Sequence, residues 1–144
     1  MILQILLVED NEAHAYLACK ALESWTTPYK LHVVSSAEEA LELLNNRNAA
    51  SNVPLPHLAL VDLHLPKRPG LAVVEAIKQS PELRNVVVMI LTSSTLEADI
   101  QTAIDLHANA YFVKSMGFDK MVSLFETIEA FWRSDVRFAI PSGL

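Results

Sequence analysis

Hydrophobic residues recur along this chain in two rhythms that take turns. Short, nearly unbroken apolar runs alternate with longer stretches in which apolar positions return every three or four residues. The first rhythm suits strands buried on both faces, because a strand with one solvated face would alternate in polarity. The second suits amphipathic helices. Residues 2–8, interrupted only by Gln4, read as a first strand. Asn11 caps the helix that follows, with Glu12 in its first turn. That helix extends to about Ser24 and stops at Thr26-Thr27-Pro28. Leu31 to Val34 form a second strand, and Ser36 with Glu39 makes a capping box for a helix ending near Asn45-Asn46. After a loop at 48–56, Leu58 to Val61 form a third strand that stops on Asp62. A third helix starts at Gly70 or Leu71 and ends before Ser80-Pro81. Val86 to Leu91 form a fourth strand, and Ser94 or Thr95 caps a helix reaching about His107. Ala110 to Val113 form a fifth strand ending on Lys114, and a last helix runs from Phe118 to Trp132.

Strand and helix thus alternate five times. This predicts an α/β fold: a doubly wound (βα)5 parallel sheet of flavodoxin-like order 2-1-3-4-5, helices on both faces. One domain would cover residues 1–132, with a tail at 133–144. In such sheets chemistry gathers at the carboxyl ends of the strands. Strand 1 ends on Glu9 and Asp10, strand 3 on Asp62, strand 4 on Thr92 with Ser93 beside it, and strand 5 on Lys114. Singly these are ordinary: a helix cap, a strand end, a surface lysine. Together they place three carboxylates, a hydroxyl and an ammonium at one edge. Carboxylates so close raise one another's pKa unless a cation joins them. Oxygen ligands with room for water suit Mg²⁺. A carboxylate beside that ion can attack phosphorus and form an aspartyl phosphate. Thr92 and Lys114 would bind the phosphoryl oxygens, and the small Ser93 would leave them room. After Asp62, Pro66, Pro69 and Gly70 turn the chain out of the sheet, and Pro69-Gly70 suits a type II turn.

Composition narrows the picture. The 144 residues suit a single core, and the net charge of −6 argues against non-specific binding to nucleic acid or to an anionic membrane. Three glycines cannot build a G-x-G-x-x-G loop or a P-loop, and one cysteine, Cys19, excludes an internal disulfide. No apolar run reaches the length of a membrane span, and residues 1–5 lack the basic start of a signal peptide, so a cytoplasmic setting is expected. The histidines at 14, 32, 57, 64 and 107 show no metal-ligand spacing. All but His64 read as surface or packing residues. His64, two past Asp62, should face the pocket rim.

Four segments together resemble the receiver domain of two-component response regulators: Leu7-Val8-Glu9-Asp10-Asn11; Val61-Asp62-Leu63-His64-Leu65-Pro66 with Gly70; Leu91-Thr92-Ser93-Ser94; and Tyr111-Phe112-Val113-Lys114. The resemblance runs from about Ile5 to Trp132, and is closest to small stand-alone regulators paired with bacterial phytochromes. It implies that Asp62 is the phosphoacceptor for a sensor histidine kinase, possessing no further enzymatic activity beyond its own phosphorylation and dephosphorylation. It implies that Glu9, Asp10, Asp62 and the backbone carbonyl of His64 hold Mg²⁺. Thr92 and Lys114 would read the phosphate, Tyr111 would be the aromatic switch that follows Thr92, and His64 and Ser94 would set the lifetime of the phosphate. Ser115 stands where the family has a proline in a cis bond, and a cis bond before a non-proline costs about 2.5–4 kcal/mol. Pro69 stands where the family usually has aspartate. Lys67 and Arg68 either attract a phosphodonor or form a plain solvated turn.

Two other functions compete: a phosphohydrolase with an aspartyl-phosphate intermediate, and a receiver-like scaffold that takes no phosphate and only dimerises. The phosphohydrolase would need an acid two residues after its nucleophile, where His64 stands. On the last helix Met121, Val122, Phe125, Ile128 and Trp132 form a stripe that should pack on the sheet. Leu124 and Phe131 widen it, and Val136, Phe138 and Ile140 continue the apolar character into the tail. These predict a homodimer interface, unless the tail folds back over Leu124 and Phe131.

Overall fold

A computed structural model describes residues 2–45, 54–114 and 117–134. Five strands, β1 (Leu3–Val8), β2 (Tyr29–Val34), β3 (Leu58–Val61), β4 (Val87–Thr92) and β5 (Ala110–Val113), alternate with five helices, α1 (Glu12–Leu22), α2 (Ala37–Asn45), α3 (Leu71–Gln79), α4 (Glu97–Asp105) and α5 (Phe118–Arg133). All strand pairs are parallel, in the order β2-β1-β3-β4-β5. This is the predicted doubly wound sheet.

The pleat explains the unbroken apolar runs. Successive side chains of a strand point to opposite faces, and here both faces are covered. Leu6, Val8, Ala59, Val61, Val88 and Ile90 point into the layer shared with α2, α3 and α4. Their neighbours Ile5, Leu7, Leu58, Leu60, Met89 and Leu91 point into the layer shared with α1 and α5. β2 is the exception: an edge strand, with Val33 exposed. It begins two residues earlier than its apolar run, because Tyr29 pairs with Leu3 and the Leu3 N–H bonds Pro28 O at 2.9 Å.

Local chemistry corrects three expectations. Ser36 Oγ does accept the Glu39 N–H at 3.1 Å, but the Glu39 carboxylate returns to Ser35, its hydroxyl at 2.9 Å, so the box closes one residue early. α4 starts at Glu97 with no side-chain cap. The Ser94 hydroxyl instead accepts the Leu96 N–H and donates to Asp99. Gly70 is not in a type II turn, which would need positive φ; its φ is −59°. The left-handed residue of that loop is Lys67, at φ 65°. Gly70 is required for space, since a Cβ there would lie 1.8 Å from the Asp62 carbonyl oxygen. The turn therefore packs directly against Asp62, the residue that follows β3.

On α5, Met121, Phe125 and Ile128 are buried as predicted, with Val122 and Trp132 half-buried. Leu124 and Phe131 are half-buried too, and Phe131 packs edge-on against Phe112 at 5.8 Å, so much of the extra apolar arc is used within the chain. Glu129 is buried on the same helix. Its carboxylate accepts the backbone N–H groups of Thr26 and Thr27, tying α5 to the loop before β2. Val136, Phe138, Ile140 and the 114–115 peptide lie outside the described residues. Among the described residues no helix is long and apolar enough to cross a membrane.

Candidate functional site

Glu9, Asp62, Thr92 and Lys114 each sit on the last rung of a ladder or one step beyond it. The Glu9 N–H still bonds Val34 O (3.0 Å), Asp62 N–H bonds Val8 O (3.0 Å), and Lys114 N–H bonds Thr92 O (2.7 Å). The sheet thus fixes these backbones while their side chains leave its carboxyl edge. Since β1, β3, β4 and β5 are consecutive, the side chains meet. Glu9, Asp10 and Asp62 each present a carboxylate oxygen, all within 4.8 Å of one another. Glu9 and Asp62 are buried, whereas Asp10 is exposed and marks the open side.

Lys114 ties the cluster together. Its ammonium donates to Asp62 Oδ2 at 2.9 Å, to Glu9 Oε1, and to His14 Nδ1 at 3.0 Å. An ammonium has three N–H donors and no acceptor, so every proton is used. His14 must then accept at Nδ1. The sequence alone places His14 among the surface or packing residues. The available signal was its place in the first turn of α1, the helix that directly follows β1, which hangs it over the same edge. A cleft of about 250 Å³ opens beside Lys114 and His14, lined also by Ala13, Leu17, Ser93 and Met121.

The two buried carboxyls are polarised in opposite senses. Burial pushes Glu9 up to about 6, helped by the charge of Asp62 and opposed by Lys114. Burial also works against ionising Asp62, but the Lys114 ammonium, the His64 N–H (3.2 Å to Oδ1) and a hydrogen bond from Glu9 outweigh it and hold Asp62 below its ordinary 3.8. Asp62 is therefore the ready anion and Glu9 keeps a proton longer. Such a set of hard oxygen donors, with one carboxyl resisting ionisation because it is buried, fits a divalent cation.

The residues expected to sense phosphate form a connected line. Thr92 is fully buried and its hydroxyl accepts the Ser94 N–H at 3.4 Å. Tyr111 is fully buried, with its hydroxyl donating to Ser94 O at 2.9 Å. Ser94 thus links the two. His64 is exposed at the rim, with Nε2 3.7 Å from Asp99 Oδ2. Ser93, Lys67 and Arg68 are exposed. Leu124 and Phe131 belong to α5, not to this cluster.

Comparison with known proteins identifies the family. Residues 5–126 match the response regulator receiver domain. The chain is 36% identical over 132 residues to response regulator Rcp1 of Synechocystis sp., covering 92% of this chain and 90% of that one. It is also 36% identical over 128 residues to the probable methanogenesis regulatory protein FilR2 of Methanothrix harundinacea, covering 89% and 82%. Among solved structures, the phosphorylated cyanobacterial phytochrome response regulator RcpA superposes with a TM-score of 0.85 at 36% identity, over 93% of this chain and 96% of that one. The Mn²⁺-bound form of Rcp1 gives 0.83 at 34%, over 94% and 98%. A buried, lysine-held aspartate at the end of β3, an acidic trio beside it and a family match spanning most of the chain lead to one conclusion: this protein belongs to the response regulator receiver domain family and is similar to phytochrome response regulators.

Proposed function

We propose that Asp62 accepts a phosphoryl group from a sensor histidine kinase and that the chain then signals by protein–protein contact in the cytoplasm. The observation that carries this is the Asp62 carboxylate, held ionised with Lys114 at 2.9 Å at an edge shared with Glu9, Asp10 and Thr92. An Asp62 oxygen attacks phosphorus, the bond from phosphorus to the kinase histidine nitrogen breaks, and that nitrogen keeps the electron pair. Lys114 passes from the carboxylate to a phosphoryl oxygen, and the Thr92 hydroxyl donates to another. Glu9, Asp10, Asp62 and the His64 carbonyl would hold Mg²⁺, which offsets charge on the phosphoryl oxygens when bound. Tyr111 follows Thr92 through Ser94 and carries the change outward.

The likeness to phytochrome response regulators supports a phytochrome as the kinase. We also propose a homodimer through the half-exposed Leu124 and Phe131 of α5, with Val136 and Phe138, though the packing of Phe131 on Phe112 leaves a smaller patch than the sequence suggested. Acetyl phosphate should add one phosphoryl mass to wild type only with Mg²⁺ present, and nothing to Asp62→Asn. The same gain in the Asn variant would overturn Asp62 as the acceptor. No gain in wild type would favour the phosphate-independent scaffold.

A further inference from the structure

Asp99, in the first turn of α4, takes no part in the chemistry above, yet two loops of the site meet on it. Its Oδ2 accepts a 2.5 Å hydrogen bond from Ser94 Oγ and lies 3.7 Å from His64 Nε2. The first distance is at the short end for a hydroxyl on a carboxylate. A serine hydroxyl has one proton to give. While Ser94 gives it to Asp99 and accepts the Leu96 N–H at 3.2 Å, it has none left to orient water. The Ser94 carbonyl is held as well, by the buried Tyr111 hydroxyl. His64 arrives from the other side. Its N–H binds Asp62 Oδ1, while its ring reaches across to α4. The side chains two residues beyond Asp62 and two beyond Thr92 are thus both directed to one carboxylate.

We propose that Asp99 is a positioning residue for hydrolysis of the aspartyl phosphate: it clasps Ser94 and His64 together across the carboxyl ends of β3 and β4 and keeps both from the attacking water. The proposal rests on Asp62 being the phosphoacceptor. In that hydrolysis the water oxygen bonds to phosphorus and the bond from phosphorus to Asp62 breaks. Its electron pair returns to the carboxylate, and both water protons leave on inorganic phosphate. The clasp withholds a donor and a ring from this step without touching the reacting atoms. With Tyr111 holding Ser94 from the core side, the clasp is fixed while that ring stays inside.

The test loads the full chain with acetyl phosphate and Mg²⁺, removes the donor, and times the loss of the phosphoryl mass. Asp99→Ala should shorten the half-life about threefold to tenfold, the scale of one typical lost hydrogen bond. Asp99→Asn keeps an acceptor for Ser94 and should retain most of the lifetime. In a His64→Ala/Ser94→Ala background, Asp99→Ala should change nothing, because there is nothing left to clasp. An unchanged or longer half-life for Asp99→Ala would overturn the proposal. So would the same shortening in the doubly substituted background, which would mean that Asp99 only supports α4. Failure of wild type to gain the phosphoryl mass would overturn the Asp62 reading itself, and is told apart from a failed clasp by that first step.

Discussion

Two lysines sit at opposite edges of the same sheet. Lys114 follows β5 at the carboxyl edge; Lys78, on the last turn of α3, lies at the amino edge. Lys78 Nζ donates to Asn109 Oδ1 at 2.9 Å and to Val86 O at 3.3 Å, and burial alone lowers its pKa. Its acceptors are neutral, and Asn109 also takes the Val88 N–H at 2.7 Å, so this lysine joins the starts of β4 and β5. Lys114 has two carboxylates and an imidazole. One residue type therefore does two jobs. With neutral acceptors the ammonium is mortar, and removing it changes hydrogen bonds. With carboxylates it sets which of them is ionised, and removing it rewrites the charge of the site.

Replacing Lys114 should have the largest effect. In Lys114→Met the transferred phosphoryl group loses a positive donor, and acetyl phosphate labelling should slow by roughly 10²-fold, the scale for losing one such donor. Mg²⁺ should meanwhile bind about tenfold more tightly or better, because a competing positive charge has left the carboxylates. Labelling kinetics and calorimetric titration check the two halves. Labelling at the wild-type rate would place Lys114 with Lys78, as mortar.

The parallel architecture made the carboxyl edge readable from sequence. β3 and β4 announce themselves as apolar on both faces, and each polar residue that ends such a run must lie at one edge. Glu9, Asp62, Thr92 and Lys114 were found in this way. What escaped were residues whose partners come from elsewhere in the chain. His14 looks like any first-turn residue until β5 brings Lys114 over it. Asp99 looks like a charge placed for the helix dipole, and nothing local shows that Ser94 and His64 converge on it. Gly70 suggests a turn, whereas its cause is the Asp62 carbonyl, visible only in three dimensions. Glu129 did leave a trace: it stands four residues after Phe125, close to the buried stripe, and a polar residue there implies buried partners, here Thr26 and Thr27.

A smaller effect comes from pH. Glu9 is raised from 4.5 to about 6, so it binds its proton more tightly in the folded chain. Its contribution to metal-free stability is fully present below pH 4.5 and is lost as pH rises through about 6. Asp62 runs the other way: depressed below 3.8, it contributes above that value and the contribution is lost as pH falls through its folded pKa. Since a ligand carboxyl must shed its proton to hold a cation, Mg²⁺ affinity should fall about tenfold between pH 7 and pH 5. Glu9→Gln should bind more weakly but without that step. Calorimetry at the two pH values decides, and a flat wild-type affinity would show that Glu9 is already ionised.

Lys78→Met should give the smallest change, and one confined to stability. Val86 O loses a donor, while Asn109 Oδ1 keeps the Val88 N–H. The cost of the orphaned carbonyl is partly offset because an ammonium no longer has to be buried. A net loss of about 1 kcal/mol in urea unfolding is expected, with labelling by acetyl phosphate unchanged. Its pH dependence carries the more telling sign. A lysine whose folded pKa is lowered holds fewer protons folded than unfolded. Wild-type stability therefore rises with pH from the lowered value toward 10.5, where an ion-paired lysine would lose stability instead. That rise should be missing from Lys78→Met. Finding it intact would mean that Lys78 is not buried against neutral acceptors, and the contrast with Lys114 would collapse from that side.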